Sequence, residues 1–137
     1  MKAIKTTYWI STIILCLFMA FSAFLYMTAP AMPANFHHLG FPDYFRVELA
    51  VGKIIGVIFL LAPLCRRYKE WAYAGFSIVF ISAFIAHSMA GDPLAVLSGP
   101  VVAMVILVIS YVTYHRWSEA KQNSTGQNSG SFTQPAL

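Results

Sequence analysis

The stretch "VELAVGKIIGVIFLLAP", residues 47–63, decides the fold. It has the length and apolarity of a membrane-crossing helix, yet it carries Glu48 and Lys53. A charge at the bilayer midplane costs about 2.5 to 3.5 kcal/mol on insertion scales. A helix that tolerates two must shelter them against other protein segments or bring them to water. Residue 47–63 therefore reads as one member of a bundle whose interior is polar in places.

The rest of the chain supplies the other members. Apolar runs extend over 8–27, 71–89 and 94–114, each close to the roughly 20 residues that a spanning helix needs. Of the 137 residues, 58% are hydrophobic and 10% are charged. Soluble chains carry roughly 25% charged residues, so this one lacks the groups to cover a water-facing surface. Open strands leave backbone groups unsatisfied in hydrocarbon, so the runs are expected to be helices. The reading is an all-α transmembrane four-helix bundle, with helices at about 7–28, 46–64, 70–90 and 94–116. Residues 1–117 form the domain, and the polar stretch 118–137 is expected to be a disordered tail. The first run exceeds an apolar signal core of about 7 to 15 residues, so it reads as a retained helix.

Charge sets the expected orientation. Lys2 and Lys5 precede the first run, Arg66, Arg67 and Lys69 lie between the second and third, and Arg116 and Lys121 follow the fourth. Both termini and the 65–70 loop are therefore expected on the cytoplasmic side of the membrane. "RRYKEW" is read as a positive-inside loop, and His115 as an interfacial anchor. In the long outer connection, Pro33 can open a short interfacial helix and Gly40 can end it. In the second outer turn, "AGDPL", Asp92 reads as an N-cap and Pro93 as the first helical residue. Gly99-Pro100 is expected to kink the fourth helix. Cys16 and Cys65 lie far apart and read as packing residues, not a disulfide.

At about 1.5 Å per residue, Glu48 and His87 both lie on the order of 10 Å outward from their helix centres, and Lys53 about 3 Å. Ser22 and Tyr26 of the first run fall in the same outer half. These five residues, Lys53, Glu48, His87, Tyr26 and Ser22, are the candidate ligand-binding set. Lys53 is about 140° from Glu48 around the helix, so the two make poor partners. Gly52 and Gly56 form a GxxxG that lets a neighbouring backbone approach closely, a helix-packing role. His37 and His38 are adjacent, point about 100° apart and do not chelate as an i, i+4 pair would. No phosphate loop, nucleophile elbow or zinc spacing is present, and no catalytic residue or metal ligand is assigned.

Several stretches together resemble the DoxX-like family of small bacterial membrane proteins: "YWISTIILCLFMAFSAFLYM", "HHLGFPDYF", "GKIIGVIFLLAP", "KEWAYAGF" and "AHSMAGDP". Their order and spacing carry the resemblance over most of residues 7–115. It implies a four-helix bundle and little defined activity, and Glu48 departs from the pattern more than Lys53, Gly52 or Gly56. The family takes its name from a subunit of a thiosulfate:quinone oxidoreductase, so quinone is the cofactor or ligand it suggests, by analogy alone. The expected function is a redox-associated accessory subunit that binds quinone or another apolar ligand in the outer half of the bundle, rather than a stand-alone enzyme. The rivals are a small-solute or proton-coupled transporter and a structural or assembly partner of a membrane complex. The expected partners are the lipid bilayer and a further membrane protein or second copy, with no nucleic acid.

Overall fold

The computed structural model describes residues 1–130, with side chains through residue 127. Five helices and no strand occur among the described residues: α1 (Lys2–Thr28), α2 (Met32–His38), α3 (Asp43–Leu61), α4 (Arg66–Met89) and α5 (Leu94–Gly130). α1 packs on α3 and α5, and α4 packs on those same two helices from the other side. The short α2 lies against α3 and the end of α1.

The chain reverses at each long connection. One end of the molecule joins Lys5 to Trp117, and Lys69 to Tyr8 and to the backbone of Leu60. The opposite end joins Arg46 to the backbone of Tyr26, and His38 to Asp92. Between them lies the core: Leu15, Cys16 and Met19 of α1, Phe76 and Phe80 of α4, and Ala103 and Leu107 of α5.

Large apolar side chains also cover the outside. Leu17, Phe21 and Phe24 of α1, Trp71, Ile78 and Ile85 of α4, and Val101, Val105 and Val108 of α5 are all exposed. An apolar surface of this extent needs a lipid or protein environment. α1, α4 and α5 are each long and apolar enough to cross a membrane. Helices of this kind suit a membrane. α3 has 19 residues but includes Asp43, Arg46, Glu48 and Lys53, and composition alone does not qualify it.

The helix ends differ from the sequence reading in ways with physical causes. Of the segment 65–70, expected to be a loop, residues 66–70 form the start of α4, and Lys69 is buried there instead of lying free among the loop cations. The expected tail does not begin at 118: α5 continues to Gly130, while residues 131–137 lie outside the described residues. Glu119, Ala120, Lys121 and Gln122 are good helix formers, and no proline interrupts the run after Pro100. The chain is helical across Pro100 itself. Cys16 is buried as expected, but Cys65 is exposed at the N-cap of α4 rather than packed.

Candidate functional site

The site lies at the end opposite Lys5 and Trp117, and two helix terminations build it. α4 ends on Ala90, followed by Gly91 at φ +76°. The Gly91 N–H donates to the Ser88 carbonyl at 3.2 Å and the Asp92 N–H to the His87 carbonyl at 3.1 Å. This is a Schellman motif, which folds the residue after the glycine back over the last turn. It brings the Asp92 carboxylate onto His87, with Oδ2 2.6 Å from Nδ1. α2 ends by the same motif at Gly40, φ +83°, with Gly40 N–H bonded to His37 and Phe41 N–H bonded to Phe36. That termination leaves His38 facing the α4–α5 turn, where its Nε2 lies 2.9 Å from Asp92 Oδ1. Asp92 is thus a bridge between two histidines on different helices.

Hydrogen bonds from His87 first, and then from His38, hold the Asp92 carboxyl below its usual range. A carboxyl depressed in the folded state contributes stability above its ordinary pKa, and the contribution vanishes as pH falls through the lowered value. Asp92→Asn should therefore unfold at a lower temperature than the parent at neutral pH, with the gap closing in acid. A gap that does not change with pH would show that the bridge is not ionic.

A cavity of about 610 Å³ opens beneath these groups, enclosed by α2, α3 and α4 with Val96 of α5 at its edge. Tyr26, Phe36, Phe41 and Phe45 make one aromatic wall: Tyr26 meets Phe36 edge-on at 5.0 Å, and Phe41 stacks on Phe45 at 4.7 Å. Asn35, His38, His87 and Asp92 supply the polar end. Ligand sites are commonly of this size, mostly apolar with a few convergent polar groups.

Of the five residues singled out from sequence, Tyr26 and His87 line this cavity. Lys53 and Ser22 stand behind Tyr26. Lys53 is 4% exposed, donates from Nζ to Ser22 Oγ at 2.8 Å, and lies 3.6 Å from the centroid of the Tyr26 ring. Ser22 and Tyr26 share a face of α1 at i, i+4, so one lysine meets both. A desolvated ammonium over a ring gains about 2 kcal/mol, and a hydrogen bond to a charged group about 1.5 to 3 kcal/mol. The two together offset much of the cost of burying the charge. Glu48 is apart from them. It is exposed at the rim of a smaller groove of about 280 Å³ between α3 and α4, which the Lys53 side chain also reaches, and it makes no ion pair with Lys53.

The two glycines differ as well. A Cβ on Gly56 would lie 2.5 Å from Cζ of Phe76, whereas one on Gly52 meets nothing within 4 Å. The close approach at Gly56 is thus that of an aromatic ring, and Gly52 takes no part in it.

The family comparison covers this whole site: the DoxX-like family matches residues 10–110. The chain belongs to the DoxX-like family. No curated protein and no solved structure matches it. The matched segment of this DoxX-like protein contains Ser22, Tyr26, Lys53, His87 and Asp92.

Sequence reasoning missed the Asp92 bridge because it treated Asp92 as the start of α5 and not as the end of α4. The signal was available in "HSMAGD", since a glycine that ends a helix places its successor against the residue five positions earlier. His38 carried no comparable signal, because its partner is 54 positions away. Lys69, at the other end, was also missed. It is 8% exposed and donates to Tyr8 Oη and the Leu60 carbonyl, both at 3.0 Å.

Proposed function

We propose that this DoxX-like protein crosses the bacterial inner membrane four times and binds an apolar ligand with a polar head in the cavity beneath α2. The observation that carries the reading is that cavity: an aromatic wall that ends on Asn35, His38, His87 and Asp92. Such a site suits an accessory role in which the protein holds a ligand for a membrane partner. The family name suggests a quinone by analogy, and the reduced form of such a ring carries hydroxyl heads. Lys53 and Ser22 then act on the ligand through the ring of Tyr26, and Glu48 stays outside the site.

α3 is the fourth span in this reading. Its outward face is apolar, with Val47, Val51, Ile54, Ile58 and Leu61 exposed, and its central charge is turned inward. Asp43 and Arg46 lie at its first turns, where a headgroup region can solvate them. The cations at the other end support a cytoplasmic position for that end of the bundle.

Two measurements test these points. Native mass spectrometry of gently extracted protein should show an apolar adduct that is lost in Ala86→Trp, since Ala86 lines the cavity and an indole would fill it. An empty protein, or an adduct retained by Ala86→Trp, removes the reading. For topology, a membrane-impermeant maleimide should label Cys65 in inverted vesicles and not in intact spheroplasts. Cys16, 3% exposed, should remain unlabelled in both. Labelling of Cys65 from the outside would reverse the orientation.

A further inference from the structure

We infer that the cavity selects a ligand whose head is a hydrogen-bond donor, a hydroxyl borne on an aromatic ring, and that Nε2 of His87 receives it. The inference rests on the proposed cavity reading and adds the chemical class of its ligand.

An ionised carboxylate only accepts hydrogen bonds. Asp92 meets His87 at Nδ1 and His38 at Nε2, so in the neutral rings those two nitrogens carry the protons. Each remaining nitrogen is then an acceptor, because a carboxylate partner settles the tautomer of an imidazole. Neither His87 Nε2 nor His38 Nδ1 has a protein partner among the described residues, and neither is a buried atom cut off from the cavity or solvent. His87 is the more enclosed, with its side chain 25% exposed against 56% for His38. Asn35, Ser82 and the Tyr26 hydroxyl can each donate or accept, so they do not discriminate. The cavity thus presents one kind of group of settled sense, an acceptor, at the edge of an aromatic wall. A hydroxyl satisfies that acceptor, while a carbonyl or ether oxygen confronts it lone pair to lone pair. The facing rings of Tyr26, Phe36, Phe41 and Phe45 favour an aromatic carrier for that hydroxyl.

The test compares para-octylphenol with its methyl ether, two probes of nearly equal shape that differ in the donor. Full-length protein in detergent is titrated with each probe at one fixed pH, and occupancy is followed by native mass spectrometry. The parent should bind the phenol about tenfold more tightly than the ether, the worth of one hydrogen bond. His87→Phe should bind both and lose the preference. Asp92→Asn, an isosteric change that folds if His87→Phe does not, should reduce it, because an amide no longer dictates both tautomers. Equal binding of the two probes by the parent, or a preference that survives in His87→Phe, overturns the donor inference and leaves the cavity reading standing. Binding of neither probe overturns both.

Discussion

Gly56→Ala should destabilise the protein by about 1 to 3 kcal/mol, the usual cost of forcing an added carbon into a packed core. The new methyl would lie 2.5 Å from Cζ and 2.8 Å from Cε1 of Phe76. Phe76 is itself 4% exposed and stacks on Phe80, so moving its ring breaks existing packing. Either the Phe76 ring swings into the groove where Trp71 and Gly75 stand beside Gly56, or α3 and α4 part; each costs packing. Gly52→Ala supplies the control. It lies one turn earlier on the same helix, its added methyl meets nothing, and alanine is the better helix former, so stability should hold or rise. The measurement is thermal unfolding in detergent, with Phe76→Leu as the rescuing second change. If Gly56→Ala and Gly52→Ala unfold alike, or Phe76→Leu rescues nothing, the close approach of α3 and α4 at this point is wrong.

Ser110→Ala should cost about 1 to 2 kcal/mol through a different mechanism, the loss of a shared hydrogen-bond partner. Ser110 is 0% exposed on α5, and its hydroxyl lies 2.7 Å from Thr12 Oγ1 of α1 and 2.8 Å from Tyr73 Oη of α4. One small side chain therefore ties three helices together. Thr12 has an alternative, since a threonine in a helix can bond back to the carbonyl four residues before it. The Tyr73 hydroxyl loses its 2.8 Å partner and keeps only Thr12 as a side chain within reach. Tyr73→Phe in the Ser110→Ala background should then recover part of the loss, because it removes a buried hydroxyl that has lost a partner. Additive losses in the double variant would mean that the two hydroxyls are not coupled.

The helices were readable because hydrocarbon leaves the backbone little choice: an apolar run of sufficient length becomes a helix or remains unsatisfied. The short α2 was readable for a local reason too, with Pro33 at its start and Gly40 after its end. The end of α5 was not. Polarity suggested disorder at 118, while the intrinsic helix preference of Glu119 to Gln122 carried the chain on to Gly130. Within the site, Tyr26 and His87 were legible from depth, and so was the need to shelter Lys53. Depth said nothing about which side of Tyr26 each group would occupy.

From sequence alone came the class of the protein, its runs of helix, the burial required of Lys53 and the likeness to the DoxX-like family over its central segment. These follow from composition, length and local pattern, which act on a chain one segment at a time. Tertiary structure alone decided that Lys53 meets Ser22 and a ring face instead of Glu48, that Phe76 fills the notch at Gly56, and that Asp92 joins His38 to His87 above a cavity. Each of these is a contact between residues remote in the chain. Its existence depends on how each helix is rotated about its own axis, and that rotation is set by the packing of all of them at once.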